Sequence, residues 1–288
     1  MATITTPDVP VTSQLRVWYD GTLLDDLERP TVSAIDHGVI VGNGVFEAMK
    51  VTEAGPFTVQ RHLDRLTRSA RALGLPDPDH AAVRTGIDAV LDGRPSGGTG
   101  KLRITYTGGP GPLGSQAAFG PPTLIVAVDA RTPYDQGTTI ITTPWTRNTS
   151  GAMTGVKTTS YTENVRGLAY ATERQGSEGI FVNTEGQLCE GTGSNIFCVF
   201  GDKIITPPLS AGPLAGITRG LLLEWCDIAE EDLTLAKAQT ADEVFITSSL
   251  RDVQSVRRWD SVDFGSIGPV TQRCADTFAE RSAAGLEP

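Results

Sequence analysis

Gly155-Val156-Lys157-Thr158-Thr159-Ser160-Tyr161 and, about thirty residues later, Leu188-Cys189-Glu190-Gly191-Thr192-Gly193-Ser194-Asn195-Ile196-Phe197 are the stretches on which the reading of this chain turns. Lysine is scarce: only Lys50, Lys101, Lys157, Lys203 and Lys237 occur in 288 residues. One lysine set among Thr, Ser and Gly, just ahead of a helical pattern, is therefore not one of many solvent-face charges. Burial disfavours the charged form of an amine, and the neutral amine is the species that condenses with an aldehyde. Lys157 is the candidate Schiff-base lysine. Glu190 is the candidate acid that serves it, because Gly191, Gly193 and Ser194 beside it let the backbone pass close to a flat ligand.

A chain of 288 residues exceeds the usual single-domain size, so two domains are expected. A formal net charge of −10 repels phosphodiester backbones and anionic lipid heads, which argues against nucleic-acid or membrane-surface work. Cys189, Cys198, Cys226 and Cys274 are widely spaced, with neither a Cys-x-x-Cys nor a histidine at ligand spacing. No metal site is expected, and a set of reduced thiols in a cytoplasmic protein is favoured over a disulfide framework. Residues 1–14 are rich in Thr and Pro, with no basic region and no apolar run, and read as a flexible arm rather than a signal peptide. No stretch approaches the ~20 apolar residues of a membrane span.

Along the chain, Leu15 to Tyr19 alternates as a strand and Asp20-Gly21 is a turn signal. Val32 to Ile35 and Gly44 to Val51 read as extended. Gly42-Asn43-Gly44 is not a dinucleotide loop, because Glu47 stands where the third glycine belongs. Leu63, Leu66, Ala70 and Leu73 recur at helical spacing and Gly74 with Pro76 stops that helix; a second helix is expected from Pro78 through Val83, Ile87, Val90 and Leu91. Lys101 to Thr107 and Thr123 to Val128 read as strands around a Gly- and Pro-rich loop, Gly108 to Pro122, which is expected to border a substrate pocket or to be disordered. The domain plan is then a small domain over 15–129, a linker over 130–137 and a larger domain over 138–288. In the latter, Thr138 to Thr143 opens a strand, Arg147 to Thr154 is a polar loop, and Tyr161, Val165, Leu168 and Thr172 mark a helix. Short strands follow at Gly179 to Asn183, Asn195 to Phe200 and Lys203 to Thr206, the last two joined by Gly201-Asp202. Leu221 to Ile228 reads as helix, Glu243 to Thr247 as strand, and Val270, Cys274 and Phe278 as the seam of a closing helix.

The Val156-Lys157-Thr158, Glu190-Gly191-x-x-Ser194-Asn195 and Gly216-Ile217-Thr218-Arg219 segments, in that order, resemble the class IV aminotransferase family, the fold type IV pyridoxal-phosphate enzymes. The resemblance runs from about Val17 to about Val256. It implies an α+β fold with a small N-terminal α+β domain and a larger domain on a β-barrel-like core. It also implies pyridoxal 5'-phosphate as cofactor, an amino donor and a keto acid acceptor as substrates, and a homodimer whose active sites are completed by a partner loop. Lys157 would carry the cofactor and move a proton at the substrate carbon, while Glu190 would keep the ring nitrogen protonated. By the same resemblance Arg65, in His62-Leu63-Asp64-Arg65-Leu66, and Ser249 hold the phosphate, and Tyr161, about one helical turn past Lys157, meets the ring hydroxyl. Ser194, Asn195 and Ser248 join this cofactor set. Ile217 and Thr218, just before the helix expected from Leu221, suit an anion through free backbone amides and the helix dipole; Thr218 also suits a plain helix cap, and serines at a strand end are often turn residues.

Val45-Phe46-Glu47 matches the aminotransferases, whereas many deoxychorismate lyases of the family carry threonine where Glu47 stands. Enzymes of D-amino acids trap the substrate carboxylate with a tyrosine at the position of Val39 and with an Arg-x-His, which Gly108 to Phe119 lacks. Arg103 offers a replacement charge, and His37 a place at the pocket mouth. Against this, the segments around Leu102 to Pro110 and Val156 to Tyr161 resemble actinobacterial proteins called deoxychorismate lyases. The expected activity is transamination of D-amino acids or (R)-amines with a keto acid; 4-amino-4-deoxychorismate lyase and branched-chain L-amino-acid aminotransferase are the alternatives.

Overall fold

The computed structural model describes residues 15–93, 99–131 and 133–288; the expected arm over 1–14 lies outside them. The first part of the chain gives strands β1 (Arg16–Tyr19), β2 (Thr22–Leu23), β3 (Gly44–Thr52), β4 (Gly55–Pro56), β5 (Gly100–Thr107) and β6 (Thr123–Ala130), with helices α1 (His37–Ile40), α2 (Val59–Ala72) and α3 (His80–Leu91). These strands form one antiparallel sheet in the order β2-β1-β6-β5-β3-β4. Leu63, Leu66 and Ala70 of α2 and Val83, Ile87 and Val90 of α3 are the helical stripes read from the sequence. They bury against Met49, Leu102, Ile104, Val126 and Val128, the inward residues of alternating strands.

The rest of the chain gives β7 (Gly137–Arg147), α4 (Thr162–Thr172), β8 (Glu178–Asn183), β9 (Leu188–Gly191), β10 (Asn195–Phe200), β11 (Lys203–Thr206), α5 (Ile217–Trp225), β12 (Ile228–Glu230), α6 (Leu235–Ala238), β13 (Glu243–Ser248), β14 (Asp252–Trp259), β15 (Val262–Asp263) and α7 (Pro269–Ala283). Nine strands form a second sheet in the order β12-β11-β10-β13-β14-β7-β8-β9, with β15 on β14. The architecture is α+β. Strand β10 is buried on both faces: Ile196 and Cys198 enter one apolar cluster, Phe197 and Val199 another, in which Phe197 stacks on Phe245 at 4.6 Å and α5 and α7 close the layer.

Several expectations are corrected. Val32 to Ile35 forms no strand. Helix α3 starts at His80 because the Asp79 side chain accepts hydrogen bonds from the Ala81 and Ala82 amides, which makes Asp79 the cap and leaves Pro78 outside. Helix α5 starts at Ile217, earlier than Leu221, and stops at Trp225, so Ile228 belongs to β12. The expected Tyr161-Val165-Leu168-Thr172 seam does not face inward: Val165 is 60% exposed and Leu168 42%. Gly167 and Ala171 are the buried residues of α4, since a glycine lets the helix lie against Phe181 and Thr192, where a Cβ would come within 2.8 and 2.7 Å. The Gly108 to Pro122 loop is ordered through α1, with the His37 amide donating to Gly109 O and the Gly111 amide to Ile35 O.

The Lys157 segment, between β7 and α4, lies along the edge of β3. The Phe46 amide donates to Lys157 O at 3.0 Å, the Thr159 amide donates to Gly44 O at 2.8 Å, and the Thr158 hydroxyl donates to Gly44 O at 3.0 Å. A Cβ on Gly44 would lie 2.9 Å from Thr159 Oγ1 and 3.1 Å from Tyr106 O. Gly44→Val is therefore expected to destabilise the chain by about 1–3 kcal/mol by overpacking, and to speed hydrogen exchange at the Thr159 amide. Unchanged exchange at Thr159 would show that this contact does not hold the segment.

Candidate active site

A cavity of about 490 Å³ opens between the Lys157 segment, the ends of β9 and β13 and the start of α5. That volume is in the range of small-molecule sites. Its wall includes Lys157, Arg65, Tyr161, Glu190, Ser194, Asn195, Ile217, Thr218, Ser248 and Ser249, which the sequence singled out from five separate segments.

Lys157 is half-buried, its Nζ 4.5 Å from the centre of the Phe46 ring and 5.8 Å from that of Tyr161. Burial lowers its pKa to about 8, helped by the Arg65 charge and opposed by Glu47 and Glu190. A substantial neutral fraction at ordinary pH is what a nucleophilic amine needs.

Glu190, on β9, is fixed at both oxygens. Its Oε2 accepts from the Leu214 amide at 2.9 Å, and its Oε1 lies 3.4 Å from Arg147 Nη2. Burial raises its pKa, while Arg147, the Leu214 amide and Lys157 pull it back toward the carboxylate. Arg147 lies flat on Phe181, 4.2 Å from the ring centre, and donates to Glu163 at 2.9 Å. Asn195 Nδ2 donates to Leu214 O at 2.9 Å, so the acid and the asparagine hold the same loop from two sides.

Tyr161 does not sit a helical turn past Lys157, because residues 156–161 are not helical; it caps α4 and meets Phe46 edge-on at 5.2 Å. Its hydroxyl donates to Thr192 O at 2.9 Å. Burial, with Glu190 and Glu178, pushes its pKa up to about 12, so the phenol keeps its proton. Glu178 in turn accepts from the Thr192 hydroxyl at 2.7 Å and the Gly193 amide at 2.5 Å, and pairs with Arg251 at 2.9 Å.

Gly216 caps α5, and the amides of its first turn have no carbonyl within the helix to bond. A Cβ on Gly216 would collide with Asn195 Oδ1. Ser248 behaves as a turn residue, its hydroxyl accepting from the Leu250 and Arg251 amides. Arg65 directs Nε and Nη2 to the two Glu47 oxygens at 2.8 and 2.6 Å and Nη1 to Ala215 O at 2.9 Å. Its fork closes on a carboxylate instead of standing free.

None of the four residues expected at a substrate pocket lines this cavity. Glu47 is fully buried behind Arg65 and His62; burial alone would raise its pKa, but those two groups hold it at about 2. His37 is buried at the start of α1, its Nε2 3.0 Å from Pro112 O. Val39 is 64% exposed on α1, and Arg103 lies over the Phe46 ring at 3.9 Å. No residue of the 108–122 loop reaches the cavity wall either. Conversely, Arg147, Asn164 and Thr247 line it and were not anticipated. Thr247 precedes Ser248-Ser249 in a run of three hydroxyls, a signal the sequence did carry; Arg147 and Asn164 are ordinary loop and helix residues until the chain folds.

The model of the amino-transferase class IV family matches residues 44–259. This chain belongs to that family. A Mycobacterium tuberculosis protein named bifunctional aminodeoxychorismate lyase / D-amino acid transaminase is 29% identical over 231 residues, covering 72% of this chain and 76% of that one. The branched-chain aminotransferase of Thermoproteus uzoniensis, solved with norvaline, superposes with a TM-score of 0.85 at 25% identity over 92% of this chain and 93% of its own. A Mycobacterium tuberculosis aminotransferase described as hypothetical, solved in a PLP-bound form, gives 0.80 at 26% identity over 92% and 97%.

Pyridoxal 5'-phosphate is the cofactor of this family, and the residues present fit it. The cavity offers a neutral-prone amine, a buried carboxylate, free amides at a helix start, and two buried hydroxyls without a partner, Ser194 Oγ and Thr247 Oγ1. Unpaired buried hydroxyls are costly unless a ligand completes them.

The lowered lysine pKa has a direct consequence. Because the folded value lies below the ordinary lysine range, charging Lys157 costs the native state stability below pH 8, and the loss is recovered as pH rises toward the unfolded value near ~10.4. Acylation of Lys157 in the cofactor-free protein is expected to show a midpoint near pH 8, and Lys157→Met is expected to raise Tm at pH 7. A midpoint above pH 10 would contradict the burial argument.

Proposed function

We propose that this enzyme transfers an amino group from D-amino acids or (R)-configured amines to a keto acid, with Lys157 as cofactor-bearing lysine and proton shuttle. The bound cofactor supplies the electron sink for the bond that breaks at the donor carbon. Lys157 takes and returns the proton at that carbon. Glu190, oriented by Arg147 and the Leu214 amide, holds the proton of the ring nitrogen. Thr218, Ser249 and the first amides of α5 cradle the phosphate, and Arg65 adds the N–H groups left over from its bonds to Glu47 and Ala215.

The observation that carries the donor class is the state of the cavity's cations. Among the described residues on its wall the guanidiniums are Arg65 and Arg147, and both are committed, to Glu47 and to Glu163 with Glu190. Neither stands free to trap a substrate carboxylate, which suits donors held mainly by shape. The D-amino-acid activity in the name of the Mycobacterium tuberculosis relative supports the same hand. The lyase activity in that name is the competing reading.

A second copy of the chain is also proposed as partner. Val39 on α1, Val41 just past its end, and Leu113 and Phe119 on the loop bonded to this region are exposed apolar side chains that an interface would cover. Light scattering is expected to give a dimer mass; a monomer would remove this proposal.

Half-reactions with L-amino acids, D-amino acids, (R)- and (S)-amines and 4-amino-4-deoxychorismate, followed by the absorbance of the bound cofactor and by keto product, separate the readings. Turnover of D-amino acids or (R)-amines with formation of new amino product from a keto acid is expected. Release of pyruvate and 4-aminobenzoate without amino transfer would establish the lyase instead. Glu190→Gln is expected to bind cofactor and to lose on the order of 10²–10³-fold in turnover, the size of one lost charge-stabilising contact.

A further inference from the structure

Behind the cavity wall lies a hydrogen-bonded chain whose histidine the proposed chemistry leaves unused. It runs from Glu47 on β3 to His62 on α2 and on to Ser249, just past the end of β13. Glu47 and His62 are both fully buried. His62 Nδ1 is 2.6 Å from Glu47 Oε2, and His62 Nε2 is 3.4 Å from Ser249 Oγ. Only Ser249 of the three reaches the cavity.

The proton positions follow from the donor inventory. An ionised carboxylate accepts only, so the His62 proton sits on Nδ1, and in the neutral ring Nε2 is a bare acceptor facing Ser249. The serine hydroxyl has one proton to give. A phosphate dianion also only accepts. Were Ser249 to turn its proton to the phosphate, Nε2 would be a buried acceptor with no donor. A proton on Nε2 resolves the conflict: Nε2 then donates to Ser249 Oγ, and the hydroxyl donates onward to the anion.

We propose that His62 is a proton-linked positioning residue of the phosphate cradle: it takes one proton from solvent onto Nε2 as the cofactor's phosphate dianion reaches Ser249, and Glu47 holds the resulting imidazolium. The proposal rests on the reading that the phosphate lies at Ser249.

The charges around His62 give the linkage its direction. Burial lowers its pKa, Glu47 from β3 raises it, and Arg65, further along α2, and Lys157 lower it. The ring therefore starts neutral, and a dianion beside Ser249 adds the negative potential that charges it. Glu47 thereby has two duties, one toward Arg65 and one toward His62. A threonine at that position would satisfy neither.

The test uses pyridoxamine 5'-phosphate, which has no aldehyde and so cannot bond to Lys157, against pyridoxamine, the same ring without phosphate. The chain has three histidines, His37, His62 and His80, so selectively ¹⁵N-labelled histidine gives a spectrum that His62→Gln assigns. In the cofactor-free protein His62 is expected to show one protonated nitrogen; with saturating pyridoxamine 5'-phosphate, two; with pyridoxamine, one. Ser249→Ala with pyridoxamine 5'-phosphate is expected to leave His62 neutral.

The pH dependence of affinity gives a second readout. Binding raises the imidazole pKa, so the extra affinity is complete below the free-site value and lost as pH rises through the bound-site value. Between the two, the wild-type dissociation constant should rise about tenfold more per pH unit than that of His62→Gln. A neutral His62 in the phosphate complex, protonation by pyridoxamine alone, or an unchanged spectrum in Ser249→Ala would overturn the proposal and leave the function above intact. Failure of pyridoxamine 5'-phosphate to bind at all would overturn both. If His62→Gln does not fold, the ligand pair and Ser249→Ala decide the matter on their own.

Discussion

The position of Lys157 depends on strand pairing before it depends on any side chain. Strand β4 covers β3 only at its far end, where Val51 and Thr52 meet Pro56 and Gly55. The outer edge of β3 near Gly44 and Phe46 is left open, and an open edge invites another extended segment. The Lys157 segment fills it, through a bridge between Val45 and Thr158 and the bonds to Phe46 and Gly44. Lys157 sits in the connection between β7 and α4 and is pinned to the edge of the first sheet, while Glu190 comes from β9 in the second. This docking brings Lys157 to the cavity that Glu190 also lines.

At the site and just behind it, two buried carboxylates meet opposite fates. Glu47 is enclosed by Arg65 and His62 and is held far into its anionic form, at about 2. Glu190 has a guanidinium only at 3.4 Å and one amide, so burial prevails and its pKa is raised. The contrast accords with the different roles proposed for them. A permanently ionised acid orders its neighbours, while an acid whose proton affinity has been raised can share a proton with a basic ring nitrogen. The lowered pKa of Lys157 belongs to the same field, since Arg65 depresses it and both acids oppose the effect.

Much of this was legible in the chain. The stripes of α2 and of α7 and the hairpin at Gly201-Asp202 follow local rules of period and turn; Lys157 stood out by the scarcity of lysine, and the Glu190 and Thr218 segments chiefly by resemblance. What escaped depended on partners distant in sequence. Strand β14 has no strong alternation and is defined by its neighbours β13 and β7. The inward face of α4 is set by Gly167, whose value is the space it leaves for Phe181 and Thr192, and hydrophobicity alone pointed to the other face. Arg147 acquires meaning only when Phe181, Glu163 and Glu190 surround it. The residues that resemblance named for the cofactor all lie on the cavity wall, whereas Val39, His37, Glu47 and Arg103 lie outside it.

The central claim is that one lysine of five bears the cofactor. Borohydride reduction of the protein loaded with pyridoxal 5'-phosphate, followed by peptide mapping, tests it most directly. A pyridoxyl adduct on Lys157 alone is the predicted result. An adduct on Lys50, Lys101, Lys203 or Lys237 instead, or none at all, would contradict it.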